Sequence, residues 1–253
     1  MFEIKEVKDV KEMYINTAII IPVFNEQNNI AEVIDESIKV NPKYIVVIDD
    51  ASTDNTSSIL KNYKGKSVVK IIRNKKNMGK QGSVKKGFEE VTKLNNIEAV
   101  VTIDADMQHP PEYIPKLVSL LKEYDMVIAK RSKDDMPLSR KIANGLVKMS
   151  YHAFGVPLND VQTGYRAYNF ESAKFISDNL EIDGKYNIEH DILDIMAKLA
   201  IDRNKEIKIA EYEVPCPYGI TESHIRFRDN LSLFKGTLKT VFKLKKRIKE
   251  FKT

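Results

Sequence analysis

The chain has 253 residues, 42% hydrophobic and 30% charged, an ordinary balance for a folded globular protein with room for one large α/β domain or two small ones. Its single cysteine, Cys216, excludes an intrachain disulfide and suits a reducing cytosol. No window approaches the roughly 18 consecutive apolar residues of a membrane-spanning helix, and the Met1–Lys5 start has no apolar signal region. The net charge of +5 hides an asymmetry: Arg226 to Lys252 holds ten Lys/Arg against Asp229 and Glu250, a net +8, so the rest of the chain is −3. Such a tail points to an anionic surface, either membrane or nucleic acid.

Apolar runs alternate with helical patterns along the first half. Ala18–Ile21, Tyr44–Ile48, Val68–Ile72, Ala99–Ile103 and Met126–Ala129 read as strands. Ile30, Val33, Ile34 and Ile38, then Val84, Phe88, Val91 and Leu94, then Ile114, Leu117, Val118 and Leu121, mark the helices between them. Continuous apolar strands alternating with helices predict an α/β fold, a mainly parallel sheet covered on both faces. Past Arg131 the pattern predicts helices over 139–154 and 189–199 and one strand within 203–212. Leu231, Phe234, Leu238, Val241, Phe242 and Ile248 recur at helical spacing in the basic tail. The expected organisation is one domain over residues 1–220, in two halves at about 15–108 and about 109–220, followed by an amphipathic helical tail over 221–253.

Ligands of open α/β sheets bind at the carboxyl ends of the strands, and the polar motifs stand there. Asp104-Ala105-Asp106-Met107-Gln108 follows the fourth strand. Two carboxylates and an amide oxygen are hard ligands, suited to Mg²⁺ or Mn²⁺ shared with substrate phosphates, so Asp104, Asp106 and Gln108 are the candidate metal ligands. Asp49-Asp50 ends the second strand; one of them can face a nucleotide base or ribose, while Asp54 or Asn55 can simply cap the next helix. Gly79–Ser83 stands at a helix start near a donor site, but its spacing is neither Walker A nor the Rossmann fingerprint. His190-Asp191-x-x-Asp194 has metal-like residue types without a supporting second cluster, and Tyr165-Arg166 reads equally as a packed corner or an acceptor contact.

Taken in order, Ile20-Ile21-Pro22-Val23-Phe24-Asn25-Glu26, Val47-Ile48-Asp49-Asp50-Ala51-Ser52-Thr53-Asp54, Asn77-Met78-Gly79-Lys80 and Asp104-Ala105-Asp106 resemble the family 2 glycosyltransferases of the GT-A fold, a single Rossmann-like domain with a mixed, mainly parallel sheet. Within it, Asp104 to Pro111, Asp160 to Arg166 and Pro217 to His224 resemble segments of the dolichyl- and polyprenyl-phosphate sugar synthases. The resemblance makes 15–108 the nucleotide-binding half and 109–220 the acceptor half, and implies that Pro22, Phe24 and Glu26 hold the base and ribose with Ile48 and Asp50 beside them. It sets Asp104, Ala105 and Asp106 at the diphosphate, Arg131 on phosphate, Ser139 and Arg140 on the acceptor phosphate, and Ser223 and His224 on a loop near the diphosphate. Asp106, Arg131 and Arg140 are then the catalytic residues, Mg²⁺ or Mn²⁺ the cofactor, and a UDP- or GDP-sugar the donor. A polyprenyl phosphate on the cytoplasmic face of an anionic membrane is the acceptor. His224 replaces a usual Lys, and Phe24 stands where Tyr is common.

An anionic lipid phosphate needs no general base. Catalysis would rest on alignment and charge clamping, and in-line attack would invert the anomeric carbon. Two alternatives stand beside this reading: a sugar or protein hydroxyl acceptor with Glu189 or Asp191 as base, and a non-catalytic nucleotide-sugar binder.

Overall fold

The computed structural model describes residues 1–8, 16–132, 138–182, 188–216 and 227–252. Its strands are β1 (Phe2–Val7), β2 (Thr17–Val23), β3 (Tyr44–Asp49), β4 (Val69–Arg73), β5 (Ala99–Thr102), β6 (Met126–Arg131), β7 (Arg166–Asn169) and β8 (Ile207–Val214). The helices are α1 (Ile30–Lys39), α2 (Thr56–Lys61), α3 (Gly79–Val91), α4 (Ile114–Leu120), α5 (Leu138–Ala153), α6 (Phe170–Asn179), α7 (Ile188–Arg203) and α8 (Phe227–Lys252).

The strands form one sheet in the order β1-β8-β6-β7-β5-β2-β3-β4, parallel throughout except for β7, which runs antiparallel between β5 and β6. Parallel pairing needs crossovers, and the helices that supply them cover both faces. Alternate residues of β2 show the division. Ala18 and Ile20 face a core that also takes Val84 and Phe88 of α3, Tyr151 of α5, Ile176 of α6, Leu193 of α7 and Leu244 of α8. Ile19 and Ile21 face the other core, with Ile30 and Ile34 of α1, Leu60 of α2 and Leu117 of α4. Each of these isoleucines is fully buried, worth about 1.5–3 kcal/mol apiece. Gly87 lets α3 settle directly on β2: a Cβ there would sit 2.3 Å from Ile20 Cγ2.

Register sets the site. Val23 pairs with Asp49 and Asp49 with Arg73, while Ile20 pairs with Thr102. The carboxyl ends of β2, β3, β4 and β5 therefore form one edge, and the polar motifs follow from it.

The five early strands and the later helices lie where the apolar patterns predict them, within a few residues. The exceptions are instructive. β1 was not expected because it is an edge strand whose exposed Lys5 and Glu6 dilute the pattern. β7 is four residues long and carries a buried arginine. β8 begins at Ile207 rather than Arg203, because α7 runs through Arg203 and turns at Asn204 with φ 49°. The tail helix is present, but Val241 and Leu244 are buried against the main body and Ile248 packs on the same core. Arg247 also pairs with Asp194 of α7 through two bonds of 2.6 and 3.0 Å. This part of the tail's apolar stripe is spent inside the protein.

Candidate active site

The turn after β2 is stitched to the turn after β3. Asn25 sits at φ 55°, and its Oδ1 accepts from the backbone amides of Thr53 at 2.8 Å and Asp54 at 3.3 Å. Ser52 Oγ and Thr56 Oγ1 accept in return from the amides of Asn25 and Glu26. Asp54 receives the amide of Thr56, which satisfies the start of α2. This lattice leaves Phe24 44% exposed at the edge of the sheet. Glu26 Oε2 accepts from Asn29 at 2.8 Å.

Two residues assigned to the base and ribose are placed differently. Ile48 is completely buried within the core, so its side chain has no face toward a ligand. Asp50 is 3% exposed, and its Oδ1 accepts from Asn74 Nδ2 and from the amide of Met78, each at 2.8 Å, which pins the loop ahead of α3. Asp49 is likewise internal: burial would raise its pKa, but bonds from Ser57, Ser52 and Arg73 outweigh that and hold it below its ordinary value.

Beyond β5 the chain turns sharply, with Met107 at φ 59° and Asp106 Oδ1 accepting the Gln108 amide at 3.1 Å. Asp106 is partly exposed and Ala105 buried. Asp104 is held from two sides. Lys80, in the first turn of α3, reaches Asp104 Oδ1 at 2.8 Å and Glu189 Oε1 at 2.8 Å. Burial alone would lower the pKa of Lys80, yet these two carboxylates override it and keep the ammonium charged. On the other side, the Asp104 amide points at His109 Nδ1, 3.5 Å away. His109 is buried, and burial lowers its pKa more than Asp104 and Asp106 raise it, which leaves a neutral ring able to accept. Adjacent Gln81 donates to Asp191 Oδ2 at 2.7 Å. Thus α3 bridges the strand-end acids and the first-turn acids of α7, where the helix dipole favours negative charge.

Gly164 makes this approach possible: a Cβ there would meet Asp104 Oδ2 and Lys80 Nζ at 2.7 Å each. Gly164→Ala should therefore force Asp104 out of place and lower stability by about 1–2 kcal/mol, or roughly 2–8 °C in melting temperature for a chain of this size. Differential scanning fluorimetry checks this; an unchanged midpoint would mean that Asp104 moves aside without cost.

Arg131, at the end of β6, forms a fork on Asp160, Nε to Oδ2 and Nη2 to Oδ1, both at 2.8 Å. Burial would raise the pKa of Asp160, but Arg131 wins and holds it low. The amides of Asn159 and Asp160 bond in turn to Glu211 on β8, which burial pushes up. Arg131 is thus a preorganised cation at the strand edge. Arg166 resolves as a packed corner: it is 1% exposed and donates to the carbonyls of Val161, Thr163 and Glu189. Tyr165 beside it is buried and donates to the carbonyl of Pro110.

Pro22, Lys80, Thr102, Asp104, Gly164 and Glu189 line one crevice at this edge. Ser139 and Arg140 lie in the first turn of α5, their side chains outside the described residues, and Ser223 and His224 lie outside them altogether. The His190, Asp191, Asp194 set goes to three different partners, namely Tyr151, Gln81 and Arg247. No group of three or more His, Cys, Asp or Glu able to hold a metal ion occurs among the described residues. Sequence reasoning missed Lys80 as the tie between Asp104 and Glu189, and missed Asp160 as the holder of Arg131. Lys80 stood inside a quoted motif, but nothing local tells a lysine which acids it will meet.

Comparison with known proteins identifies the family and the fold. The family model described as "Glycosyl transferase family 2" matches residues 18–176. An uncharacterized protein of Methanocaldococcus jannaschii is 35% identical over 235 residues, 88% of this chain and 98% of that protein. Undecaprenyl-phosphate 4-deoxy-4-formamido-L-arabinose transferases of Yersinia enterocolitica and Shewanella sediminis are 32% and 37% identical, each over 60% of this chain. The matches span 48% and 47% of those enzymes, about half their length. Among solved structures, glucosyl-3-phosphoglycerate synthase of Mycobacterium tuberculosis with Mn²⁺, UDP and phosphoglyceric acid superposes with a TM-score of 0.64 at 18% identity. The superposition covers 91% of this chain and 78% of that one, a likeness of fold. The same enzyme with Mg²⁺ and UDP gives 0.66 at 17%, over 94% and 87%. By sequence match and by its GT-A fold, the chain belongs to glycosyl transferase family 2.

Proposed function

We propose that the protein transfers a sugar from a UDP- or GDP-sugar to a polyprenyl phosphate of the dolichyl or undecaprenyl type at a membrane face, with inversion at the anomeric carbon. The observation that carries this reading is the pairing of the two carboxylates a hydroxyl acceptor would need as base: Glu189 is ion-paired with Lys80, and Asp191 accepts from Gln81. An acceptor that arrives already ionised needs neither. The names of the undecaprenyl-phosphate transferases similar to this chain support the lipid phosphate, and the UDP complexes of the structural neighbours support the donor.

In this reaction an acceptor phosphate oxygen bonds to the anomeric carbon as the bond to the diphosphate breaks, and the nucleoside diphosphate departs. Phe24, exposed beside the stitched turns, offers a stacking surface for the base, with Pro22 and Glu26 alongside. Arg131, locked by Asp160, supplies fixed positive charge at the strand edge. The hard oxygens of Asp106 and Gln108 suit Mg²⁺ or Mn²⁺, which would neutralise the leaving diphosphate. Asp104 fits less well as a ligand than the sequence implied, because one of its oxygens is committed to Lys80. A site with few protein carboxylates agrees with a metal completed by substrate phosphates. Ser139, Arg140 and His224 keep the acceptor-phosphate and diphosphate roles assigned by resemblance.

The test incubates the protein with Mg²⁺ or Mn²⁺, radiolabelled UDP- and GDP-sugars and short-chain polyprenyl phosphate. Label should enter the organic phase, and Asp106→Ala should reduce it by at least about tenfold, the loss expected from removing one charge-stabilising group. Transfer to a hydroxyl acceptor instead, abolished by Glu189→Gln, would replace this reading with the base-assisted one.

A further inference from the structure

Large apolar side chains are exposed at few places among the described residues, and four of them lie on the packed pair α5 and α8. Ile142, Leu146 and Met149 on α5 are 58%, 45% and 63% exposed. Their spacing of four and then three residues sets them on one helical stripe. At the far end of α5, Phe154 packs edge-on against Phe242 of α8, with ring centroids 5.5 Å apart, and Phe242 is itself 61% exposed. Phe242 thus adds an exposed aromatic ring at the junction of α5 and α8.

Its border is cationic. Lys141 on α5 and Lys243, Lys245, Lys246 and Lys249 on α8 are exposed, and Lys245 Nζ stands 5.2 Å over the Phe154 ring. The sequence of α5 contains no acid, and Glu250 is paired with Lys246. An apolar stripe flanked by lysines is complementary to an anionic bilayer, whose headgroups attract the lysines while its acyl boundary accepts the apolar side chains. No helix among the described residues is long and apolar enough to cross a membrane. On α8, Val241 and Leu244 are buried and Ile248 is packed on the core, so these three side chains are not available for insertion.

We propose that α5 lies along the surface of an anionic bilayer, with Ile142, Leu146, Met149 and Phe242 entering the interface and the α8 lysines against the headgroups. The arrangement differs from a simple basic tail: α5 gives three of the apolar contacts, and α8 gives most of the charge together with Phe242. The inference rests on the lipid-phosphate reading for its purpose. The first turn of α5 carries Ser139 and Arg140, so a stripe seated on the bilayer would hold that turn at the level where a lipid-linked phosphate is presented.

The experiment sediments the full chain with vesicles of neutral phosphatidylcholine and with vesicles containing phosphatidylglycerol, at low and high salt. The wild type should bind the anionic vesicles, and salt should weaken the binding. Combining Ile142→Gln, Leu146→Gln and Met149→Gln should lower affinity by about tenfold or more, as should combining Lys243→Gln, Lys245→Gln and Lys246→Gln. All of these sites are exposed, so the melting temperature should not change, and transfer to a soluble short-chain polyprenyl phosphate should be unaffected in the apolar variant. Equal binding by wild type and the apolar variant overturns the proposal. So does absence of wild-type binding, or a wild-type dimer in analytical ultracentrifugation that the apolar substitutions dissociate, which would assign the stripe to a second copy. Vesicle binding by a wild type that transfers sugar to no polyprenyl phosphate supports the docking surface and removes only the acceptor reading.

Discussion

Lys80→Met should be the most damaging single substitution at the site, in stability and in turnover. The ammonium is the shared partner of Asp104 and Glu189, at 2.8 Å from each. Methionine keeps the bulk of the side chain and removes the charge, leaving two carboxylates to face each other across the crevice. Removing one partner of a buried ion pair costs about 3–5 kcal/mol. Lys80 keeps 35% of its side chain exposed, so solvent screens part of the effect, and about 2–4 kcal/mol is the reasonable range. That corresponds to a fall of roughly 5–15 °C in melting temperature for a chain of this length. Turnover should drop by about a hundredfold or more, because Asp104 then loses its fixed orientation in the crevice where the donor diphosphate is proposed to lie. Adding Glu189→Gln removes one of the repelling charges. It should restore a good part of the lost stability while restoring little transfer. Calorimetry and the radiolabel assay on the two variants separate these effects. If Lys80→Met melts within a degree or two of wild type, the bridge does not organise the site.

The frame of this molecule is written locally. Runs such as Tyr44–Ile48 can only be buried strands, and a helix between each pair requires parallel pairing. Once those strands are parallel their carboxyl ends share an edge, so Phe24, Asp50 and Asp104 were gathered to one side without any knowledge of contacts. What each side chain does there is a different matter. Asp50 looks like a ligand-facing acid in sequence and is an internal anchor for the 74–78 loop, because Asn74 and Met78 arrive from a separate strand connection. Arg131 was found, but its carboxylate partner lies 29 residues away, and no spacing rule connects them. The antiparallel β7 was invisible for the same reason: its four residues gain their strand geometry from β5 and β6 on either side, not from their own composition. The tail shows the reverse case. Its periodicity gave the helix correctly, but an apolar stripe is equally suited to a membrane and to a protein core: Val241, Leu244 and Ile248 went to the core while Phe242 stayed exposed.

Acid should loosen the joint of α5, α7 and α8 before it affects the sheet. His190 stands at that joint, 1% exposed, with Nδ1 2.6 Å from the Tyr151 hydroxyl and Nε2 3.4 Å from Thr237 Oγ1. Burial pushes its pKa from an ordinary 6.5 down to about 4; nearby Glu189 opposes the shift and Arg166 assists it. Burial also raises the pKa of Tyr151, so its hydroxyl stays protonated, and the neutral ring shares one hydrogen bond with it at Nδ1 and one with Thr237 at Nε2. The folded state therefore refuses a proton that the unfolded chain accepts. Stability from this group is complete above pH 6.5, is lost as pH falls toward 4, and changes no further below that. At about 1.4 kcal/mol per pKa unit, the loss attributable to His190 is about 3 kcal/mol. Urea denaturation of wild type and His190→Asn at several values from neutral to acid pH isolates it. Asparagine cannot titrate, so the variant should be the less stable protein at neutral pH and the gap should close or reverse in acid. Parallel stability curves would show that the acid sensitivity of the fold lies in other groups, and the three-helix joint would then be as robust to protonation as the sheet beneath it.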